Sequence, residues 1–165
     1  MAGLAVEETK RILFEEGPHL LREKYYENYQ KKPGYMDRLQ ASAGPHKSGN
    51  DPHIAGRALD IVVRANIPYE LYIGNFLVDV FLTARVAMNW IDLIYNHWEW
   101  NGAGNKFPRK RFTKDKDGKP TKNDDAIFGH VTHIHIEWSA SGVASANFQQ
   151  DLISALHPDE AGAYY

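Results

Sequence analysis

The chain has no cysteine, and this absence narrows the chemistry that its 165 residues can carry. Disulfides and thiolate metal ligands are excluded, so any bound metal must be held by imidazole nitrogens and carboxylate oxygens. The sequence contains 8 histidines that could serve in that way. The redox compartment stays open, because a fold without cysteines works in oxidising and in reducing surroundings.

The sequence also lacks an excess of either charge. Its 19 lysines and arginines stand against 21 aspartates and glutamates, which gives a net charge of -2. A nucleic-acid partner attracted by a positive field is therefore not expected. The densest basic run, residues 106–122, is mixed with aspartate, glycine and proline, which is typical of a solvated loop.

No apolar run is long enough to cross a bilayer, so we expect no membrane partner. Residues 1–10 lack the basic start and the apolar stretch of a signal peptide, which indicates synthesis in the cytoplasm. A chain that had been processed earlier would look the same.

The length predicts one domain over residues 1–165. Apolar spacing and Gly/Pro positions predict a helical N-terminal segment over residues 1–30, broken at Gly17-Pro18. They also predict a long helix over residues 68–90, a strand over 91–95 and a C-terminal helix over 144–157. The segment of residues 101–128 is longer than a simple connection in a compact domain, and it is predicted to form a long loop, a hairpin or a flap beside a site. Trp98 and Trp100 either line a groove or cap the core, and we favour the core.

The first stretch with candidate chemistry is His53-Ile54-Ala55-Gly56-Arg57-Ala58-Leu59-Asp60. Residues 58–63 are apolar and partly β-branched except for Asp60, which predicts a buried strand. A lone carboxylate in such a strand is costly to bury unless it is paired or bound to a metal. We expect Gly56 to allow the tight turn that brings His53 back over Asp60.

The second stretch is Val131-Thr132-His133-Ile134-His135-Ile136-Glu137-Trp138. Polar and apolar residues alternate in it with the period of a β-strand. His133, His135 and Glu137 should therefore share one face, and the apolar residues between them should face the core.

Together the two stretches predict a divalent-metal site with His53, Asp60 and His135 as ligands. Zinc is favoured, because its catalytic sites use three such protein ligands and keep a fourth position open. The alternative is that these are ordinary core or surface histidines. Two histidines on one strand face, joined by a His and an Asp seven residues apart around a glycine, favour the metal site.

The pattern His53-x-x-Gly56-x-Ala58-x-Asp60, followed by His133-x-His135, resembles the zinc D-Ala-D-Ala carboxypeptidase and endopeptidase family. That family belongs to a larger group with lysostaphin-type endopeptidases, penicillin-insensitive murein endopeptidases and the hedgehog signalling domain. The resemblance covers about residues 50–138. It implies an α+β fold in which a small antiparallel sheet carries helices on one face and the metal on the other.

Matched by position, the resemblance implies His53, Asp60 and His135 as Zn²⁺ ligands. It implies His133 as the catalytic residue that assists the attacking water or the transition state. Glu137, on the same predicted face, is the less favoured alternative for that role.

Two positions depart from the family's pattern. Asp51 stands where many members have serine, and Thr132 stands where many place a general-base glutamate. The branch that carries His-x-His functions without that glutamate, so Thr132 indicates the branch rather than a loss of activity.

Two arginines receive supporting roles. Related enzymes hold a substrate carboxylate or carbonyl with an arginine upstream of the first ligand, and Arg38 occupies such a position. Arg57 is predicted to pair with a nearby carboxylate and to orient Asp60. For both residues the alternative is an ordinary surface arginine.

The resemblance implies a zinc metallopeptidase that hydrolyses the stem or cross-bridge peptide of bacterial peptidoglycan, as an endopeptidase or a D,D-carboxypeptidase. Without a signal peptide it would reach the periplasmic or extracellular wall by lysis, on a phage particle, or through a delivery apparatus with an immunity protein as partner. The main alternative is a non-catalytic zinc-containing binding module of the hedgehog type. A metal-dependent phosphodiesterase is disfavoured, because a second carboxylate-rich metal set and a basic face are lacking.

Overall fold

A computed structural model of the chain describes residues 3–23, 52–109 and 130–158. In chain order its elements of secondary structure are α1 (Leu4–Glu16), β1 (Ala58–Ile61), α2 (Pro68–Thr83), α3 (Arg85–Met88), β2 (Trp90–Tyr95), β3 (Trp98–Asn101), β4 (Lys106–Pro108), β5 (Ile134–Trp138), a 3-10 turn (Gly142–Ala144) and α4 (Gln149–Leu156). The predicted α+β class is confirmed.

The five strands form one antiparallel sheet in the order β1-β5-β2-β3-β4. β5 lies between β1 and β2, so the second predicted stretch is central in the sheet and the first borders it. Directly paired residues lie on the same face of a sheet. Asp60, His135 and Ile94 form one such row, and Leu59, Ile136 and Leu93 form a row on the opposite face.

The helices cover the face that carries Leu59, Ile136 and Leu93. A single core joins this face to buried residues of the long helices, among them Ile12, Leu13, Leu77, Phe81 and Leu152. Trp90 and Trp138 are buried at the end of the sheet, and their indole N–H groups donate to the carbonyls of Phe81 and Met88, each at 3.0 Å. These bonds satisfy the only polar atoms of two large core side chains.

The predicted helix over residues 68–90 is too long at its end. α2 ends at Thr83, α3 is a separate short turn, and Trp90 already belongs to β2. Asn89 has a left-handed backbone, with φ of 51°, which closes the helical stretch in a conformation that asparagine tolerates. No helix in the described part of the chain is long and apolar enough to span a bilayer.

The terminal helices follow the prediction in part. α1 ends at Glu16 and helix resumes over residues 19–23, so the predicted break at Gly17-Pro18 is confirmed. Residues 24–30 lie outside the described ranges. The predicted C-terminal helix starts later than residue 144, at Gln149.

Trp98 and Trp100 lie on the helix side of the sheet, because they pair with Tyr95 and Leu93. Trp100 belongs to the core, as preferred, whereas Trp98 is 39% exposed and is not part of the core. The start of the 101–128 excursion is a hairpin in which β4 pairs with β3. Residues 110–129 lie outside the described ranges.

Gly74 marks a close contact between α2 and β2 that can be tested. A Cβ atom at this position would overlap the phenol ring of Tyr95, which is 1% exposed and cannot move aside. We expect Gly74→Ala to lower the free energy of unfolding by about 1–3 kcal/mol through overpacking, although alanine is the better helix former. Urea unfolding measures the change.

The exposed neighbour Asn75 provides the control, since Asn75→Ala should leave the stability unchanged or slightly raised. A Gly74→Ala protein as stable as the Asn75→Ala protein would contradict the packing described for Tyr95.

Candidate metal centre

His53 lies in a turn just before β1. The amide of Gly56 donates to the carbonyl of His53 at 3.0 Å, and the amide of Arg57 donates to the carbonyl of Pro52 at 2.8 Å. Gly56 has φ of 68°, which glycine adopts without a steric penalty. The turn brings the imidazole of His53 to the carboxylate of Asp60, as the spacing of the two residues predicted.

Asp60 and His135 meet because β1 and β5 pair directly at these residues. Both side chains lie on the sheet face opposite the core, and both residues are buried. The Nδ1 atom of His135 is 2.9 Å from Oδ1 of Asp60. Two residues that are 75 positions apart in the sequence are therefore in hydrogen-bond contact.

The three predicted ligands present one donor atom each to a common centre. His53 Nε2 is 3.2 Å from His135 Nδ1 and 3.3 Å from Asp60 Oδ1, and the third distance, between His135 and Asp60, is 2.9 Å. A tetrahedral ion with ligands at about 2.0–2.1 Å needs donor atoms about 3.3 Å apart. The spacing fits to within a few tenths of an ångström, so this buried group could hold a metal ion.

The contact between Asp60 and His135 shifts the pKa of both side chains. Burial alone raises the pKa of Asp60, but hydrogen bonds from His135 and His53 outweigh it and hold that pKa well below its usual range. Burial disfavours the charged form of His135, yet its contacts with Asp60 and Glu137 raise its pKa to about 9. A proton and a metal ion would therefore compete for Nδ1 of His135.

His133 lies beside the three donors, immediately before β5. Its Nε2 atom is 3.8 Å from Oδ1 of Asp60, and its Nδ1 atom is 3.0 Å from the hydroxyl of Thr132. Burial, helped by the charges of His135 and His53 and opposed by Asp60, lowers the pKa of His133. The residue is next to the candidate centre, and its predicted catalytic role stays a prediction.

The structure adds His130, which the sequence analysis did not single out. Its ring centroid is 4.6 Å from that of His133 and 5.5 Å from that of His135. His130 has φ of 48°, a conformation that is unfavourable for most residues other than glycine. The strand alternation could not reveal it because it precedes the strand, but the spacing His130-x-x-His133-x-His135 was a usable signal.

Arg57 pairs with Glu137 and not with Asp60, which the prediction had named as the carboxylate it orients. Its Nη1 atom donates to Oε1 of Glu137 at 3.1 Å and to the carbonyl of Trp138 at 2.9 Å. The neighbouring imidazole of His135 lowers the pKa of Glu137, and Arg57 adds to the effect. Through Glu137, Arg57 is thus linked to His135, which is one of the predicted ligands.

Asp92 completes this side of the centre. It is the register partner of Glu137 on β2, and with His135 and Glu137 it forms a second group of close donor atoms. Burial, together with the charge of Glu99, raises the pKa of Asp92. The imidazole of His135 therefore has carboxylates on both sides.

Arg38, the predicted substrate-binding residue, lies outside the described ranges, as does Asp51. Every other residue named as a ligand, as the catalytic group or as its alternative lies on the same side of the sheet. Comparisons of the chain with protein-family models, with curated proteins and with solved structures found no match.

Proposed function

We propose that this chain is a zinc-dependent peptidase that hydrolyses the stem or cross-bridge peptide of bacterial peptidoglycan. The observation that carries the proposal is the spacing of His53 Nε2, Asp60 Oδ1 and His135 Nδ1, at 2.9–3.3 Å from one another. The substrate class rests on the similarity of the two motifs to those of the zinc D-Ala-D-Ala peptidases. We also propose that the whole domain has the fold shared by the group to which those peptidases belong.

Zinc is the metal that best suits these donors. Two imidazole nitrogens and one carboxylate oxygen, close to tetrahedral spacing, match its catalytic sites. Calcium and magnesium need six or more ligands that are mainly oxygens, which this group does not provide. When bound, zinc supplies Lewis-acid chemistry that activates water and polarises a carbonyl.

The chain's own residues would hold the ion and leave one position on it open. His53, Asp60 and His135 hold the ion from a turn and two strands, and their burial keeps the donors in place. Three protein ligands leave a fourth position for water or substrate.

His133 is the proposed proton carrier. With its Nδ1 atom directed to the hydroxyl of Thr132, its Nε2 atom faces the centre at 3.8 Å from Asp60. Nε2 would take a proton from the attacking water and pass it to the leaving amine, which is general acid–base catalysis. Thr132 thus supports the catalytic imidazole at the position where many relatives of the proposed family carry glutamate.

The test is mass spectrometry of purified peptidoglycan after incubation with the protein, with added zinc and with a chelator. New peptide fragments that form with zinc and vanish with the chelator are expected, and their masses identify the bond. A His133→Ala protein treated in parallel should yield few or none. An unchanged digest, from a protein that holds one zinc per chain, would overturn the peptidase proposal in favour of a binding module.

A further inference from the structure

We propose that Glu137, held in place by Arg57, positions His135 so that its Nδ1 atom faces the metal. This inference rests on the metal centre of the proposed function and adds a residue pair to it. Glu137 would act through His135 and not on the substrate, which makes it a positioning residue.

The argument begins with the two nitrogens of His135. Nδ1 lies among the donors of the centre, 2.9 Å from Asp60 and 3.2 Å from His53. Nε2 points the other way, with Oε2 of Glu137 at 4.0 Å. An imidazole that binds a metal through Nδ1 keeps its proton on Nε2, and that proton needs an acceptor if the ring is to stay in place.

Glu137 is suited to be that acceptor. It lies two residues beyond His135 on β5, so both side chains project from the same face. The 4.0 Å separation is that of an ion pair, and a shift of about 1 Å would complete a hydrogen bond. A carboxylate in this position fixes the tautomer and the orientation of a ligating imidazole.

Arg57 restricts the carboxylate in turn. Its Nη1 atom reaches both Oε1 of Glu137 and the carbonyl of Trp138, so the guanidinium is tied to the backbone of β5. With Oε1 occupied, Oε2 is the oxygen left to face His135. Arg57, Glu137 and His135 therefore form a connected series that leads from the edge of the sheet to the metal centre.

The same face of the sheet offers a matched control. Glu99 on β3 also pairs with an arginine, Arg109, at 3.6 Å. Glu99 lies opposite Ile94 and not beside a ligand. Glu99→Gln thus removes a comparable charge from this face while the contacts of His135 with Asp60 and Glu137 stay in place.

The experiment measures zinc affinity by competition with a chromophoric chelator in four proteins: the unaltered chain, Glu137→Gln, Arg57→Lys and Glu99→Gln. We expect Glu137→Gln to bind zinc about 10–100-fold more weakly. Arg57→Lys, which keeps the charge but has a shorter reach and no planar guanidinium, should shift affinity in the same direction by less. Glu99→Gln should match the unaltered chain.

A spectroscopic readout separates positioning from a general structural effect. In the zinc-loaded protein, ¹⁵N NMR of the His135 ring should show a metal-bound Nδ1 and a protonated, slowly exchanging Nε2. In Glu137→Gln that proton should shift upfield and exchange faster, while the signals of His133 keep their positions.

Two results would overturn the inference. One is a Glu137→Gln protein that matches the unaltered chain in zinc affinity and in hydrolysis. The other is a Glu137→Gln protein that keeps its zinc affinity but loses hydrolysis, which would make Glu137 a proton carrier. Failure of the unaltered chain to bind zinc is a distinct result, because it removes the proposed function and this inference together.

Discussion

Replacing His135 with alanine is expected to abolish metal binding and hydrolysis together, whereas replacing His133 with alanine should leave the metal bound and remove most of the rate. His135 supplies Nδ1, one of three donors within 2.9–3.3 Å of one another. Its loss should weaken binding by more than the roughly 10–100-fold that outer residues of metal sites cost. His133 lies 3.8 Å from Asp60 and is proposed to transfer protons, a role worth about 10²–10⁴-fold in rate.

Zinc content after gel filtration and the rate of peptide release from peptidoglycan measure the two effects separately. His19 gives a matched histidine control, because its side chain is 72% exposed on a helical segment remote from β5. His19→Ala should keep both zinc and activity. A His133→Ala protein that lost its zinc would show that the ligands are wrongly assigned.

Removing the metal is expected to destabilise the chain, and the loss should increase with pH. Zinc that binds only the folded protein stabilises it by about 2.7–4.1 kcal/mol at 100–1,000 times its Kd, equivalent to roughly 5–15 °C in Tm for a chain of this size. Magnesium, which these donors do not suit, should produce little or no shift.

The pH dependence follows from His135. Its pKa rises from 6.5 to about 9 in the folded metal-free chain, through contacts with Asp60 and Glu137 that outweigh burial. The protonated ring therefore stabilises the metal-free protein fully below pH 6.5, and this stabilisation is lost as pH rises through 9. Zinc needs Nδ1 without a proton, so its affinity increases over the same interval.

The difference in Tm between zinc-loaded and chelator-treated protein should thus widen from pH 6.5 to pH 9, as measured by differential scanning calorimetry. The His135→Ala protein should show no zinc-dependent shift at any of these pH values. A difference that narrows as pH rises would contradict the assignment of Nδ1 as a donor.

The sequence predicted those features that depend on residues close together along the chain. Alternation along residues 133–138 assigned each side chain to a face, because strand geometry has a period of two. Gly56 indicated the turn at His53, because few other residues adopt φ of 68° readily. The metal group followed from these two local patterns and from the absence of cysteine.

What the sequence did not reveal depends on distant contacts. Arg57 and Glu137 are 80 positions apart, and only the pairing of β1 with β5 brings them together. Asp60 is the carboxylate nearer to Arg57 in the sequence, but its side chain faces His53 and His135. The end of α2 was missed for a different reason, since residues 85–88 are themselves helical and the change of direction depends on the backbone of Asn89.

The place of β5 in the sheet has a consequence for biosynthesis. β1 and β2 both lie beside β5, so neither has that partner until residues 134–138 have left the ribosome. A nascent chain that ends earlier carries His53 and Asp60 without the third donor, and it exposes strand edges that favour aggregation. The candidate metal centre cannot form early in translation, and any activity that depends on it has to wait until β5 is inserted.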